Sequence, residues 1–355
     1  MSASRQRFVV NARAIGDDAP VFVVAEAGVN HNGDPEQARR LIDAAKEAGA
    51  DAVKFQTFRS DALVSRHAPK AAYQRATTGD DGTQAEMLAR LELSLEQHVD
   101  LRDRCAKQGL VFFSAPFDEA SVEALAELGV SLYKVPSGEI TNLPLLARIA
   151  SKGKPVILST GMSTLDEVAA AVATIRGAGD PPLALLHCVS AYPAPIEEMN
   201  LRAMSTLRDR FGCPVGLSDH TLGIAVALGA VARGAAIVEK HLTLDKALPG
   251  PDHRASLEPG EFAELVRGIR AIEASLGDGD KRPMPCEADV RRVARKSLVA
   301  ARALRAGEIL TSDAVAIKRP GTGIPPSALA SVLGRRVRRD VLADEVLDWV
   351  MLETH

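Results

Sequence analysis

The chain has 355 residues, 46% hydrophobic and 25% charged, with a formal net charge of −3. That length exceeds one ordinary compact domain and suits a barrel of roughly 250–280 residues plus a small appendage. Nothing in the overall charge points to nucleic acid, and with aromatics at only 4% the chemistry must rest on polar groups.

The N-terminus, MSASRQRFVVNARAIGDD, has no apolar leader core, and no run approaches the ~20 apolar residues of a membrane span. The expectation is a cytoplasmic protein without membrane contact. Cys105, Cys188, Cys213 and Cys286 show no CxxC spacing, so thiols in a reducing compartment are expected.

Eight apolar, β-branched runs follow in chain order: VFVVAEAG (21–28), AVKFQTF (52–58), VFFSAPF (111–117), LYKVPSG (132–138), VILSTGM (156–162), LALLHCV (183–189), VGLSDH (215–220) and AIVEKHLTL (236–244). Continuous rather than alternating apolarity marks strands buried on both faces, as in parallel sheets. Helical patterns lie between them, several ending in Gly, and Ser163-x-x-Asp166 reads as a capping box. Eight βα units predict a (β/α)8 TIM barrel, closing with the helix FAELVRGIRAIEASLG. A doubly wound sheet is the alternative, but no GxGxxG follows the first strand.

We divide the chain into a barrel over 1–280, a charged, Pro-containing linker over 281–294 and a small β-rich module over 295–355. From Arg291 to the C-terminus there are 12 Lys/Arg against 7 Asp/Glu. This basic tail on an acidic body suits nucleic acid or an anionic substrate, and solvated surface is the plainer reading.

TIM barrels place their chemistry at the C-terminal strand ends, and polar residues crowd there. They are Glu26, Asn30, His31, Lys54, Gln56, Ser114, Lys134, Ser137, Glu139, Ser159, Thr160, His187, Ser190, Tyr192, Ser218, Asp219, His220, Glu239, Lys240 and His241. Unpaired charges inside apolar strands are costly to bury, so so many of them ask for a functional reason. His220 and His241, ending adjacent strands, can hold one divalent cation and leave positions open for substrate; two satisfied core histidines are the alternative. Lys54 and Lys134 with Ser114, Ser137, Ser159 and Ser218 make an anion cradle, or one lysine forms a Schiff base. Glu26 and Glu139 are acid/base candidates unless each merely pairs with a lysine.

Taken together the motifs resemble the sialic acid (N-acetylneuraminate) synthase family: AEAGVNHNG (25–33), VKFQTF (53–58), FSAPFD (113–118), YKVPSGE (133–139), LSTGM (158–162), LHCVSAYPAP (186–195), GLSDHT (216–221), EKHLTLD (239–245) and GPDHRASLEP (250–259). The tail, with AIKRPGTGIPP (316–326), resembles that family's antifreeze-like SAF domain. The resemblance implies condensation of phosphoenolpyruvate with an N-acylmannosamine-type sugar and release of phosphate. It implies that His220 and His241 hold Mn2+, with Mg2+ or Co2+ as alternatives, to polarise the aldehyde and position water. Lys54, Ser114, Lys134, Ser137, Ser159 and Ser218 would hold phosphoenolpyruvate. Asn30, Gln56, Ser190, Tyr192, Asp252 and Glu26 would meet the sugar or intermediate, and Glu139 would move a proton. Arg319 would reach the sugar of a neighbouring subunit in a domain-swapped homodimer.

Two positions depart from the family pattern. Ala115 replaces a phosphate-binding hydroxyl, leaving backbone N–H or Ser114 to serve, and Ser190 stands where some neuraminate synthases carry Asn. Ser190 looks more like the bacterial legionaminate synthases, and GPDHRASLEP resembles the neuraminate/legionaminate branch over the pseudaminate branch. N-acetylmannosamine and 2,4-diacetamido-2,4,6-trideoxymannose both remain as substrates.

Overall fold

The computed structural model describes residues 7–78 and 82–353. The chain divides after Gly277 into two compact units.

In the first unit a short hairpin, β1 (Arg7–Val10) with β2 (Arg13–Gly16), pairs antiparallel from Arg7 opposite Gly16 to Val10 opposite Arg13. Among the described residues, eight parallel strands follow: β3 (Phe22–Gly28), β4 (Ala52–Thr57), β5 (Val111–Pro116), β6 (Tyr133–Val135), β7 (Val156–Ser159), β8 (Leu183–Cys188), β9 (Val215–Asp219) and β10 (Ile237–His241). Their order is β5-β4-β3-β10-β9-β8-β7-β6, and the two end strands lie side by side, which closes the barrel. The apolar runs overshoot these strands at their C-terminal ends. After Val135, for example, Pro136 cannot extend the ladder, and Ser137–Glu139 forms a 3-10 turn.

Alternation decides what each strand shows the interior. Phe22, Val24, Ala52, Val111, Phe113, Leu132, Ile157, Ala184, Leu186 and Ile237 fill the N-terminal half of the barrel, and Val10 and Ile15 of the hairpin join that cluster. The outward residues, among them Val23, Val53, Phe55, Phe112, Val156 and Leu217, pack on helices in a second, larger cluster. The interior is therefore sealed at one end, and polar side chains gather only at the other.

Helix ends follow local chemistry. Leu95–Gln108 starts in a Ser94/Gln97 capping box and ends at Gly109, whose φ of 71° is the left-handed conformation glycine tolerates. The box expected at Ser163 and Asp166 lies one residue on, between Thr164 and Glu167, at the start of Leu165–Gly177. Ser163 instead donates to the carbonyl of Gly161.

Between β4 and β5, among the described residues, lie three short helices that the strand pattern did not forecast, Ser60–Leu63, Ala72–Thr78 and Gln84–Ala89. Met87 and Leu91 there pack with Val29 and Phe58.

The second unit carries β11 (Ser297–Ala300) antiparallel to β12 (Val315–Lys318), with isolated bridges such as Leu304 to Val341 and Val337 to Leu352. Leu298, Leu304, Leu310, Ile324, Val337 and Leu347 form its own core. The charged stretch read as a linker holds an exposed helix, Ala288–Ala294. Among the described residues no helix is long and apolar enough to cross a membrane.

Candidate active site

At the C-terminal end of the barrel lies a cavity of about 500 Å3. The inward register that buries Val24, Ala52, Leu132, Ile157 and Ile237 continues two residues on to Glu26, Lys54, Lys134, Ser159 and Glu239, and all five line the cavity. Ladder pairing sets Glu26 beside Lys54 and beside His241, and Ser218 beside Glu239.

At its floor are four buried charges. Lys54 Nζ lies 3.1 Å from Glu26 Oε2 and 3.2 Å from Glu239 Oε1, and Lys134 Nζ lies 3.5 Å from Glu239 Oε1. Lys134 donates to Ser159 Oγ at 2.8 Å, and Ser218 Oγ donates to Glu239 Oε1 at 3.0 Å. Glu26 Oε2 is met by the Lys54 ammonium, whereas Glu239 Oε2 is buried without a hydrogen-bond partner, so that carboxylate keeps accepting capacity.

Burial sets the protonation states, and neighbours modify them. Desolvation raises the Glu26 pKa to about 7, helped by Glu239 and opposed by Lys54. Burial also works against the charge on Glu239, but Lys134 and Lys54 outweigh it and hold that carboxyl well below the usual range. Burial lowers Lys134 to about 8. Lys54 is equally buried, yet Glu239 and Glu26 raise its pKa. One carboxyl is thus poised near neutrality and the other firmly ionised, a separation suited to proton transfer beside a fixed charge.

His220 and His241 face one another with ring centroids 5.5 Å apart. The Nδ1 of His220 must donate to the carbonyl of Val189, 2.8 Å away. Burial opposes charge on this ring, but Cys188 and the Val189 carbonyl outweigh it and raise its pKa, so Nε2 offers a lone pair once the ring gives up its proton. The Nδ1 of His241 is buried without a hydrogen-bond partner, 3.8 Å from Asp252 Oδ2. Burial and then His220 drive the His241 pKa well down, so the ring is neutral. Satisfied core histidines would not leave a buried nitrogen orphaned. These two imidazoles fit a divalent cation. Among the described residues no group of three or more His, Cys, Asp or Glu is arranged to hold a metal, so a cation here would have these two imidazoles as its protein donors.

Aromatic rings wall the cavity: Tyr192 lies 4.3 Å from His220 and stacks at 5.2 Å on Tyr73. Gln56 Nε2 donates to Glu26 Oε1 at 3.3 Å. Ser137 Oγ accepts from the N–H of Gly161 at 2.9 Å. A Cβ on Gly161 would lie 2.3 Å from Ser190 Oγ and 2.8 Å from Ser137 Oγ, so only glycine lets this loop approach. Cys188 Sγ sits 3.8 Å from His220 Nδ1.

Of the residues read from sequence, the cavity brings together Glu26, Lys54, Gln56, Lys134, Ser137, Ser159, Ser190, Tyr192, Ser218, His220, His241 and Asp252. Three others to which the sequence assigned a role lie elsewhere in the first unit. Ser114 pairs in register with outward-facing Phe55, and its hydroxyl meets Thr57 Oγ1 at 2.7 Å behind the sheet. Ala115, in register with Gln56, takes the inward position. Asn30 ties two loops by donating to Leu242 O and Ser256 Oγ. Glu139 accepts from Asn142 Nδ2 on the turn past β6, away from the lining. Arg319 belongs to the second unit, where its Nε donates to Ala294 O. Glu239 carries the central charge that sequence reading had named without a role; its place two residues before His241 was the available signal. Tyr73 and Met87 had none, because the segment between β4 and β5 lacks strand-end logic.

A closed barrel with paired lysines, a poised carboxyl and two facing imidazoles at its catalytic end defines an enzyme that handles an anion beside a carbonyl. Residues 41–281 match the NeuB family model and residues 295–353 the SAF domain model. The chain belongs to the NeuB family and is a synthase of sialic-type sugar acids. The N,N'-diacetyllegionaminic acid synthase of Legionella pneumophila is 47% identical over 342 residues, covering 95% of this chain and 96% of that protein. The human N-acetylneuraminate-9-phosphate synthase is 38% identical over 345 residues, covering 97% and 96%. A solved N-acetylneuraminic acid synthetase from Leptospira borgpetersenii superposes with a TM-score of 0.72 at 36% identity, covering 82% of this chain and 96% of that one.

Proposed function

We propose that the enzyme joins phosphoenolpyruvate to a doubly N-acylated deoxymannose-type sugar, the 2,4-diacetamido-2,4,6-trideoxy compound, ahead of N-acetylmannosamine. The observation that carries the condensation is the convergence of Lys54 and Lys134 with His220 and His241 on one cavity. For the sugar, the support is an apolar part of that lining, Met87, Leu88, Leu91 and Phe117, which suits methyl and acyl groups; among the described residues the lining holds no Lys or Arg besides Lys54 and Lys134 to serve a sugar phosphate.

Lys54 and Lys134 neutralise the carboxylate and phosphate, while Ser137, Ser159 and Ser218 direct them. The lining carries two lysines against Glu26, Glu239 and Asp252, so extra positive charge favours a polyanion here. A divalent cation on His220 and His241, Mn2+ with Mg2+ or Co2+ as alternatives, would supply that charge and polarise the aldehyde.

The enol C3 attacks the aldehyde carbon, forming the new C–C bond and leaving positive charge at C2. Glu26, with its pKa near 7, gives its proton to the aldehyde oxygen. Water adds at C2, and the C2–O bond to phosphate then breaks to leave the 2-keto acid. One water proton restores Glu26 and the other leaves with phosphate, so atoms and charge balance. Glu239, held ionised by two lysines, keeps both ammonium groups charged and aimed into the cavity.

Phosphate release with phosphoenolpyruvate tests the reading against the diacetamido sugar, N-acetylmannosamine, its 6-phosphate, the altrose isomer and mannose. Release should depend on the N-acyl sugar and be fastest with the diacetamido compound. Equal rates without any sugar would overturn the condensation, and preference for the 6-phosphate would overturn the sugar assignment. A homodimer in which Arg319 serves the neighbouring sugar site is part of this proposal. Arg319→Ala should raise the KM for sugar far more than that for phosphoenolpyruvate, and equal effects would remove it from the site.

A further inference from the structure

Asp219 and Lys240 immediately precede His220 and His241, and alternation turns them to the opposite face of the same strands, away from the cavity. Both side chains are wholly removed from solvent. Lys240 Nζ donates to Asp219 Oδ2 and to the carbonyl of Thr221, each at 2.7 Å. Asp219 Oδ1 accepts from both the N–H and the Oγ1 of Thr221 at 2.9 Å. The residues on either side of His220 are therefore tied to one ammonium, and that ammonium belongs to the residue before His241.

The backbone shows why such a tie matters. The β9–β10 ladder ends at the pair Asp219 and Lys240, so His220 lies just past its last rung. From there His220 keeps a bond from Ala194 N–H to its carbonyl and one from its ring to Val189 O, both reaching toward the β8 loop. The Lys240 bond to Thr221 O continues the link to β10 where the ladder stops. A buried ion pair is often replaceable by apolar side chains at little cost in stability, so packing alone does not call for this one. Its specific contribution is direction.

We propose that Asp219, Lys240 and Thr221 form a positioning clamp that fixes the separation of His220 from His241 and so sets the affinity for the divalent cation. None of the three lines the cavity; they act through the histidines. The inference rests on the reading that those histidines hold the cation.

The test uses the full-length protein, stripped of metal and titrated with Mn2+ while free Mn2+ is followed by electron paramagnetic resonance, alongside thermal melts in EDTA. The double variant Asp219→Leu/Lys240→Met removes the pair without leaving a buried unpaired charge. It should melt within a few degrees of the parent, yet bind Mn2+ about 10–100-fold more weakly, the range for loss of groups that orient metal ligands. A folded double variant with the parent's Mn2+ affinity overturns the clamp. Should the double variant not fold, Thr221→Val decides: it deletes one hydroxyl contact and should weaken Mn2+ several-fold, and unchanged affinity overturns the proposal. A parent that binds no Mn2+ would instead bring down the two-histidine reading.

Discussion

Lys54 and Glu239 face each other across the barrel floor, Nζ to Oε1 3.2 Å, each about 5% exposed. Removing one partner of a buried pair strands the other charge, at a cost of about 3–5 kcal/mol. Lys54→Met should therefore lower stability to denaturant by about that much and raise the KM for phosphoenolpyruvate at least tenfold. Adding Glu26→Gln removes one stranded carboxyl, so the double variant should recover part of the stability but none of the KM. Strictly additive stability losses in this cycle would mean the groups are not coupled.

Ser114 and Ser159 provide a paired contrast. Ser159 Oγ accepts from Lys134 inside the cavity, whereas Ser114 bonds Thr57 behind the sheet. Thr57 in turn meets His98 Nε2 at 2.9 Å. Ser159→Ala should raise the KM for phosphoenolpyruvate about tenfold. Ser114→Ala should leave it unchanged and cost about 1 kcal/mol of stability, the scale of one hydrogen bond. A large KM effect at Ser114 would contradict its outward placement.

This contrast also shows what the sequence could convey. The barrel was legible because strands buried on both faces need unbroken apolar runs, and the intrusion of Lys54, Lys134 and Glu239 into such runs located the catalytic end. Direction was harder to read. Ser114 and Ala115 are neighbours at one strand end, and only the register with Phe55 and Gln56 reveals which of them points inward. Asn30 and Glu139 lie past the strands, where alternation no longer applies and loop hydrogen bonds decide orientation. The Tyr73 wall comes from a helix whose approach to Tyr192 is a tertiary contact with no local signature.

Metal removal separates the two lysine chemistries that the sequence left open. Lys134 has a lowered pKa of about 8 from burial, a property shared with Schiff-base lysines. Its bond to Ser159 and its approach to Glu239 instead hold it as a charged anchor. EDTA treatment should abolish activity and Mn2+ should restore it, while borohydride with either substrate should leave no covalent adduct by mass spectrometry. Full activity after exhaustive chelation, or a borohydride-trapped lysine, would reverse the assignment.

Acid stability should report on two buried histidines outside the cavity. Burial, reinforced by His98, lowers the His31 pKa from 6.5 to about 4. Burial does the same to His253, which meets Thr243 Oγ1 at 2.7 Å. Both rings are neutral in the fold and charge more readily in the unfolded chain. Below the unfolded pKa the unfolded state binds the extra proton, so stability is complete above pH 6.5 and is lost as pH falls toward 4. Each group should take away about 1.4 kcal/mol per pH unit inside that window. Glu26 and Asp252, whose burial raises their pKa values to about 7 and about 6, act in the opposite sense. The comparison must therefore be between variant and parent. His31→Asn keeps an acceptor for the Gly33 N–H that His31 Nδ1 now serves at 3.0 Å. Urea unfolding at pH 7, 6 and 5 should show a shallower loss for His31→Asn than for the parent, by about one proton near pH 5. Parallel losses would mean that His31 is already solvated, or protonated, in the folded enzyme.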